Sequence, residues 1–291
     1  MKAQWIKLLM VVLALSLIVT GCQKQEDGKT SAKKKKVELI YVEWSSEVAS
    51  VNVVKAVLQE KMGYEVDTIP VSAAAMWQGL ASDDADAMVA AWLPTTHANY
   101  LDKVKGKVVD LGPNLVGTRV GLVVPTYVTI DSIGELNDHA DKFDGKIIGI
   151  DPGAGMMSKT EKVLEEYKLD KMELMVGSGA TMTAALADSI KKNEWVVVTG
   201  WTPHWMFANW DLKYLEDPKN IYGGEEEIRT FVRKGLKEEM PEVYNFLDKF
   251  NWSLNDIQQV MVWNREEGAK PYENAKRWIE QNEAKVQEWL Q

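Results

Sequence analysis

From Val37 onward the chain alternates short apolar runs with stretches of helical periodicity, the pattern of an α/β fold. Residues 37–43 read as a strand. Ser45 or Ser46 can cap a helix reaching Lys61, with Val48, Val51, Val54 and Leu58 on one face and Gly63 to end it. A second strand follows at 64–69. Ser72 opens a helix through Met76 and Leu80, and 87–93 is a third strand, stopped by Pro94.

The same order returns about 106–110 residues later. Residues 146–150 read as a strand, 159–167 as a helix and 172–176 as a strand. Ser178 then opens a helix with Met182 and Leu186, and 195–200 is a strand leading to Pro203. Details repeat as well: Ser72-x-x-x-Met76 matches Ser178-x-x-x-Met182, and Trp92-Leu93-Pro94 matches Trp201-Thr202-Pro203. Two related lobes are the economical reading, because a period this long does not suit a solenoid. A Val-rich strand at 117–125 and a second segment at 228–235 are expected to cross between them, and 240–291 reads as helical. The expected division is lobe I at 37–120, joined again by 235–291, and lobe II at 121–234.

The N-terminal pattern differs. Lys2 and Lys7 precede a twelve-residue apolar run, 8–19, broken only by Ser16. As a helix this run spans roughly 18 Å, short of a bilayer's ~30 Å core, so it reads as a signal peptide over 1–21. Val19-Thr20-Gly21-Cys22 resembles the bacterial lipobox, which implies that Cys22 is lipidated. Two acyl chains would anchor the protein stably to the outer face of the cell membrane, with 22–36 as a flexible tether. Cys22 is the single cysteine of the chain.

Composition narrows the function. One cysteine excludes an internal disulfide and a Cys-based zinc site. The net charge of −9 becomes −15 once the eight lysines and two acids of 1–36 are set apart. A body this acidic is a poor nucleic-acid binder. There is no Gly-x-Ser-x-Gly elbow and no histidine pair with zinc-ligand spacing, so an enzyme, a cofactor and a metal are not expected; a cell-surface hydrolase is the distant alternative.

Twelve tryptophans outnumber nine tyrosines and five phenylalanines. Ligands of open α/β sheets bind beyond the carboxyl ends of the strands, and three indoles fall there: Trp44, Trp92 and Trp201. The matching end of the first strand in lobe II carries Asp151-Pro152-Gly153-Ala154-Gly155-Met156 ahead of a helix, where the amides of Gly155 and Met156 can receive an anion. His97, five residues past Trp92, can add a donor. Indole faces recognise a quaternary ammonium, which has no N–H to offer, at roughly 0.5–2 kcal/mol per contact. Tryptophan also stacks on sugars, but the anion site and the lack of a polar comb for hydroxyls favour a small zwitterion with a methylated cation. Trp77 and His204 lie near this set and read as packing residues. His139, among Asn, Asp and Lys, reads as an exposed loop residue.

Four stretches carry a resemblance: Val42-Glu43-Trp44-Ser45-Ser46-Glu47, Ala91-Trp92-Leu93-Pro94-Thr95-Thr96-His97, 149–158 and 200–207. With them the chain resembles, from Val37 on, the glycine betaine/proline betaine-binding lipoproteins of osmoprotectant ABC importers. The resemblance implies a two-lobe, periplasmic-binding-protein-like (Venus flytrap) α/β fold with two interlobe crossings, closing over ligand and docking on permease subunits with their ATPase. It implies that Trp44, Trp92 and Trp201 cage the trimethylammonium while Gly155, Met156 and His97 hold the carboxylate. A monomer is expected. Choline or carnitine is the alternative ligand.

Overall fold

A computed structural model describes residues 36–291. The expected signal peptide, Cys22 and all of the expected tether but Lys36 lie outside the described residues. Lys36 itself opens the first strand, where it pairs with Glu38 and Asp67.

The chain runs β1 (Lys36–Tyr41), α1 (Ser45–Ala56, extended by a π turn over Val57–Lys61), β2 (Glu65–Pro70), α2 (Ala73–Ala81), β3 (Ala87–Leu93), α3 (Ala98–Val104) and β4 (Val108–Pro125). After a 3₁₀ segment, Ile133–Phe143, come β5 (Lys146–Ile148), α4 (Gly155–Glu166), β6 (Glu173–Met175), α5 (Gly179–Lys192) and β7 (Val198–Thr202). A short α6 (Met206–Asn209), β8 (Leu212–Tyr214) and β9 (Glu226–Arg233) precede five helices: α7 (Leu236–Glu239), α8 (Pro241–Lys249), α9 (Leu254–Trp263), α10 (Pro271–Gln281) and α11 (Glu283–Leu290).

The sheet pairing repeats, as the doubled sequence pattern predicts. In the first sheet β1 lies parallel between β2 and β3, and β3 pairs antiparallel with β9. In the second, β5 lies parallel between β6 and β7, and β7 pairs antiparallel with β4. The fold is the mixed α/β, two-lobe arrangement expected. The long strand β4 joins its halves: it pairs with β9 up to Thr118 and with β7 from Arg119.

The second crossing differs from expectation. β9 lies wholly in the first sheet, between β3 and β4, so the chain returns ahead of Glu226 rather than within 228–235. The last strand of the span expected for lobe II, 121–234, therefore belongs to the first sheet. Apolar alternation in β9 marks a buried strand but cannot say which sheet receives it.

Local chemistry sets several boundaries. Ser72 and Ser178 cap α2 and α5, accepting from Ala75 and Thr181 amides. Ser45 and Ser46 do not cap α1: Trp44 holds the cap position and the serines fall in the first turn. Helix α1 is buried on most of its circumference because it is sandwiched between the sheet and α9 and α10. In the C-terminal cluster Trp278 and Trp289 stack at 5.8 Å and 12°, and Trp263 is also buried, so these indoles are core. His139 is half-buried, 5.8 Å from Trp195, rather than exposed in a loop. No helix among the described residues is long and apolar enough to cross a membrane.

Candidate functional site

Each lobe contributes one wall of a small cavity lined by Trp44, Trp92, Thr96, His97, Val120, Ile150, Ala154, Gly155, Met156 and Trp201. All six candidate binding residues are brought together there, and no charged side chain lines the space. Trp44 is the N-cap of α1, Trp92 the penultimate residue of β3, and Trp201 lies in β7. The three indoles are 7%, 3% and 3% exposed.

A buried indole needs a partner for its N–H, and these partners fix the rings. Trp92 Nε1 donates to Glu47 Oε1 at 2.9 Å, Trp44 Nε1 to Asp151 Oδ2 at 2.8 Å and Trp201 Nε1 to Ser46 Oγ at 3.2 Å. With the N–H edges tied into protein, the π faces are left for the cavity. The acceptors behind two of the rings are carboxyl groups.

The opposite chemistry occupies the other side. Gly155 and Met156 are the first two residues of α4, where amides have no carbonyl one turn earlier to bond. The helix begins at Gly155, four residues earlier than its apolar periodicity predicts, because a glycine-rich entry carries no periodic signal. His97 is fully buried, and its Nδ1 accepts from the Trp92 amide at 3.1 Å. The proton of the neutral ring therefore sits on Nε2, which has no partner among the described residues. Burial pushes the imidazole down to about 3, so the ring is neutral at physiological pH. A buried, unpartnered donor beside free amides is the complement of a carboxylate oxygen.

Residues outside the cavity hold these groups. Trp77 packs edge-on against His97 at 6.0 Å, and His204 against Trp201 at 4.4 Å; both support the walls without lining the space. Glu226, fully buried at the start of β9, accepts from the amides of Thr95 and Thr96 and from both hydroxyls, clamping the turn that carries His97. Sequence reasoning singled out neither Glu226 nor Val120, and Thr96, Ile150 and Ala154, like Ser46, Glu47 and Asp151, stood inside the quoted motifs without a role of their own. A lone acid at the start of a strand gives no signal.

Glu47 carries a testable consequence. Burial lifts its carboxyl from 4.5 to about 7, against the lowering effect of its bonds from Trp92 and Ser46, and Oε2 is unpartnered. Between these two pH values the unfolded chain releases a proton that the folded protein keeps. Stability contributed by this group is therefore complete below 4.5 and lost as pH rises to 7. Glu47→Gln keeps an acceptor for Trp92 without the titration. The stability difference, wild type minus variant, should fall by up to about 3 kcal/mol across this window and stay level above it. Chemical denaturation at a series of pH values measures it, and a pH-independent difference would remove Glu47 as the cause. His97 and His204 titrate in both proteins and cancel.

Residues 35–281 match the family model for the substrate binding domain of ABC-type glycine betaine transport systems. The glycine betaine/carnitine transport binding protein GbuC of Listeria monocytogenes is 46% identical over 154 residues, a stretch that covers 52% of this chain and 51% of that protein. The match thus spans about half the length of this curated relative. Among solved structures, lactococcal OpuAC in its closed-liganded conformation with glycine betaine is 46% identical, with a TM-score of 0.84 over 89% of this chain and 100% of that one. The glycine betaine, L-proline-binding protein ProX of Borrelia burgdorferi is 44% identical, with a TM-score of 0.85 over 88% and 97%.

Proposed function

The chain belongs to the family of substrate binding domains of ABC-type glycine betaine transport systems, and we propose that it captures glycine betaine, and proline betaine beside it, for osmoprotectant uptake. The trimethylammonium lies against the faces of Trp44, Trp92 and Trp201. The carboxylate takes the N–H groups of Gly155 and Met156 and Nε2–H of His97. One observation carries this reading: a small cavity lined by no charged side chain brings three indoles together with the unpartnered Nε2–H of His97 and the first-turn amides of α4. A permease with its ATPase is the partner that receives the ligand, and the protein acts as a monomeric carrier rather than an enzyme. The lipobox-like stretch ending in Cys22 supports an extracytoplasmic protein anchored by lipid.

Calorimetric titration of the purified protein with glycine betaine, proline betaine, choline, carnitine and maltose tests the proposal. Saturable heat is expected with the two betaines and none with maltose. A response to choline without betaine would contradict the anion half of the site, and silence toward every amine would contradict the cage. In the same titration His97→Ala should weaken glycine betaine by about tenfold, the worth of a hydrogen bond to a charged group, and leave any choline binding unchanged.

A further inference from the structure

Two of the three cage indoles do more than present a face. Trp44 stands between β1 and α1 on the first sheet, yet its N–H reaches Asp151 beyond β5 of the second. Trp201 stands in β7 of the second sheet, and its N–H reaches Ser46 in α1 of the first. The two bonds cross the cleft in opposite directions. Trp92 differs: its acceptor, Glu47, lies in the same lobe, so its ring is held whether or not the lobes meet.

Resting on the betaine-binding reading above, we propose that the N–H groups of Trp44 and Trp201 fasten the closed lobes together, with Asp151 and Ser46 as positioning residues that complete the cage only on closure. Lobe closure and ring orientation then become one event. A cation between the indoles stabilises the rings in the pose from which they reach across, and each bond across holds the lobes on the ligand. Asp151 adds a second connection, because its turn runs directly into Gly155 and Met156. The residue that takes the Trp44 N–H is thereby tied to the amides that take the carboxylate, so both ends of a zwitterion report to one loop. Charge strengthens the Asp151 bond relative to the hydroxyl of Ser46, which ranks the two.

The test is a double-mutant cycle on glycine betaine affinity, measured by calorimetry, with Trp44→Phe, Asp151→Ala and the pair. Asp151→Ala should weaken binding by about tenfold to hundredfold in the wild-type background, the range for a hydrogen bond to a charged group. In the Trp44→Phe background, where no N–H remains, the same change should cost less than about twofold. Asp151→Asn, which keeps an acceptor oxygen, should restore most of the loss. Stopped-flow measurement should place the effect in the dissociation rate, since the contact forms after the ligand has entered. Equal losses in both backgrounds, or none in the wild type, would overturn the latch while leaving the betaine reading intact. A wild-type protein without affinity for betaine would overturn both. Ser46→Ala with Trp201→Phe provides an independent cycle should Asp151→Ala lower the yield of folded protein; a coupling of about threefold is expected there, and strict additivity would count against the latch.

Discussion

Gly155→Ala is expected to raise the dissociation constant for glycine betaine by about a hundredfold, an overpacking cost near the upper end of the ordinary range. A Cβ at this position would stand 2.1 Å from the carbonyl oxygen of Thr96 and 2.8 Å from its methyl group. The side chain could turn away, but the carbonyl belongs to a turn clamped by Glu226. Relief therefore requires the lobes to part at the point where α4 must deliver its amides. Alanine suits the first turn of a helix better than glycine does, so α4 itself should be no weaker. The expected combination is lost affinity with an unchanged melting temperature for the ligand-free protein, read by calorimetry and thermal unfolding. Wild-type affinity in this variant would mean that binding does not need the approach of Gly155 to Thr96. Met156→Leu is the useful contrast: its contribution is a backbone amide, so affinity should stay within about twofold.

Most of what positions this site was legible because it rests on local rules applied twice. Two sets of three parallel strands, each linked by two helices, leave the same periodic trace, and carboxyl-end placement brings Trp44, Trp92 and Trp201 toward one cleft. The proposed anion side was legible only as a glycine-rich entry to a helix, which the structure places at the start of α4. What escaped depends on contacts between distant segments. β9 carries the alternation of a strand, but its place between β3 and β4 is decided by pairing across more than a hundred residues. Ser45 and Ser46 have the composition of helix caps, yet tertiary structure draws Ser46 to the Trp201 N–H and leaves the cap to a tryptophan. Glu226 is invisible in sequence because its role exists only once β9 lies under the Thr95–Thr96 turn.

Trp92→Ala is the second large effect, on the order of a hundredfold weaker binding of glycine betaine. Loss of a desolvated cation–π contact accounts for up to about 2 kcal/mol of this. The remainder comes from the wall itself: the indole is almost wholly buried, so alanine leaves a void beside the ligand, and Glu47 loses the donor that holds it. Those contributions can be separated by a graded series. Trp92→Phe keeps an aromatic face and removes the N–H, and should weaken binding by about tenfold. Trp92→Leu fills much of the same space with no π face; affinity well below that of the phenylalanine variant is expected if the ring quadrupole attracts the cation. Equal affinities for Leu and Phe would reduce the cage to hydrophobic contact and leave the preference for a methylated cation unexplained. Because a buried tryptophan also supports the fold, each variant's unfolding midpoint must be measured alongside its dissociation constant. Trp92→Ala should lower the midpoint and raise the dissociation constant, whereas the order Trp, Phe, Leu in affinity should persist after stability is accounted for. That ordering, rather than the loss in the alanine variant alone, is what ties the indole of Trp92 to the charge of the ligand.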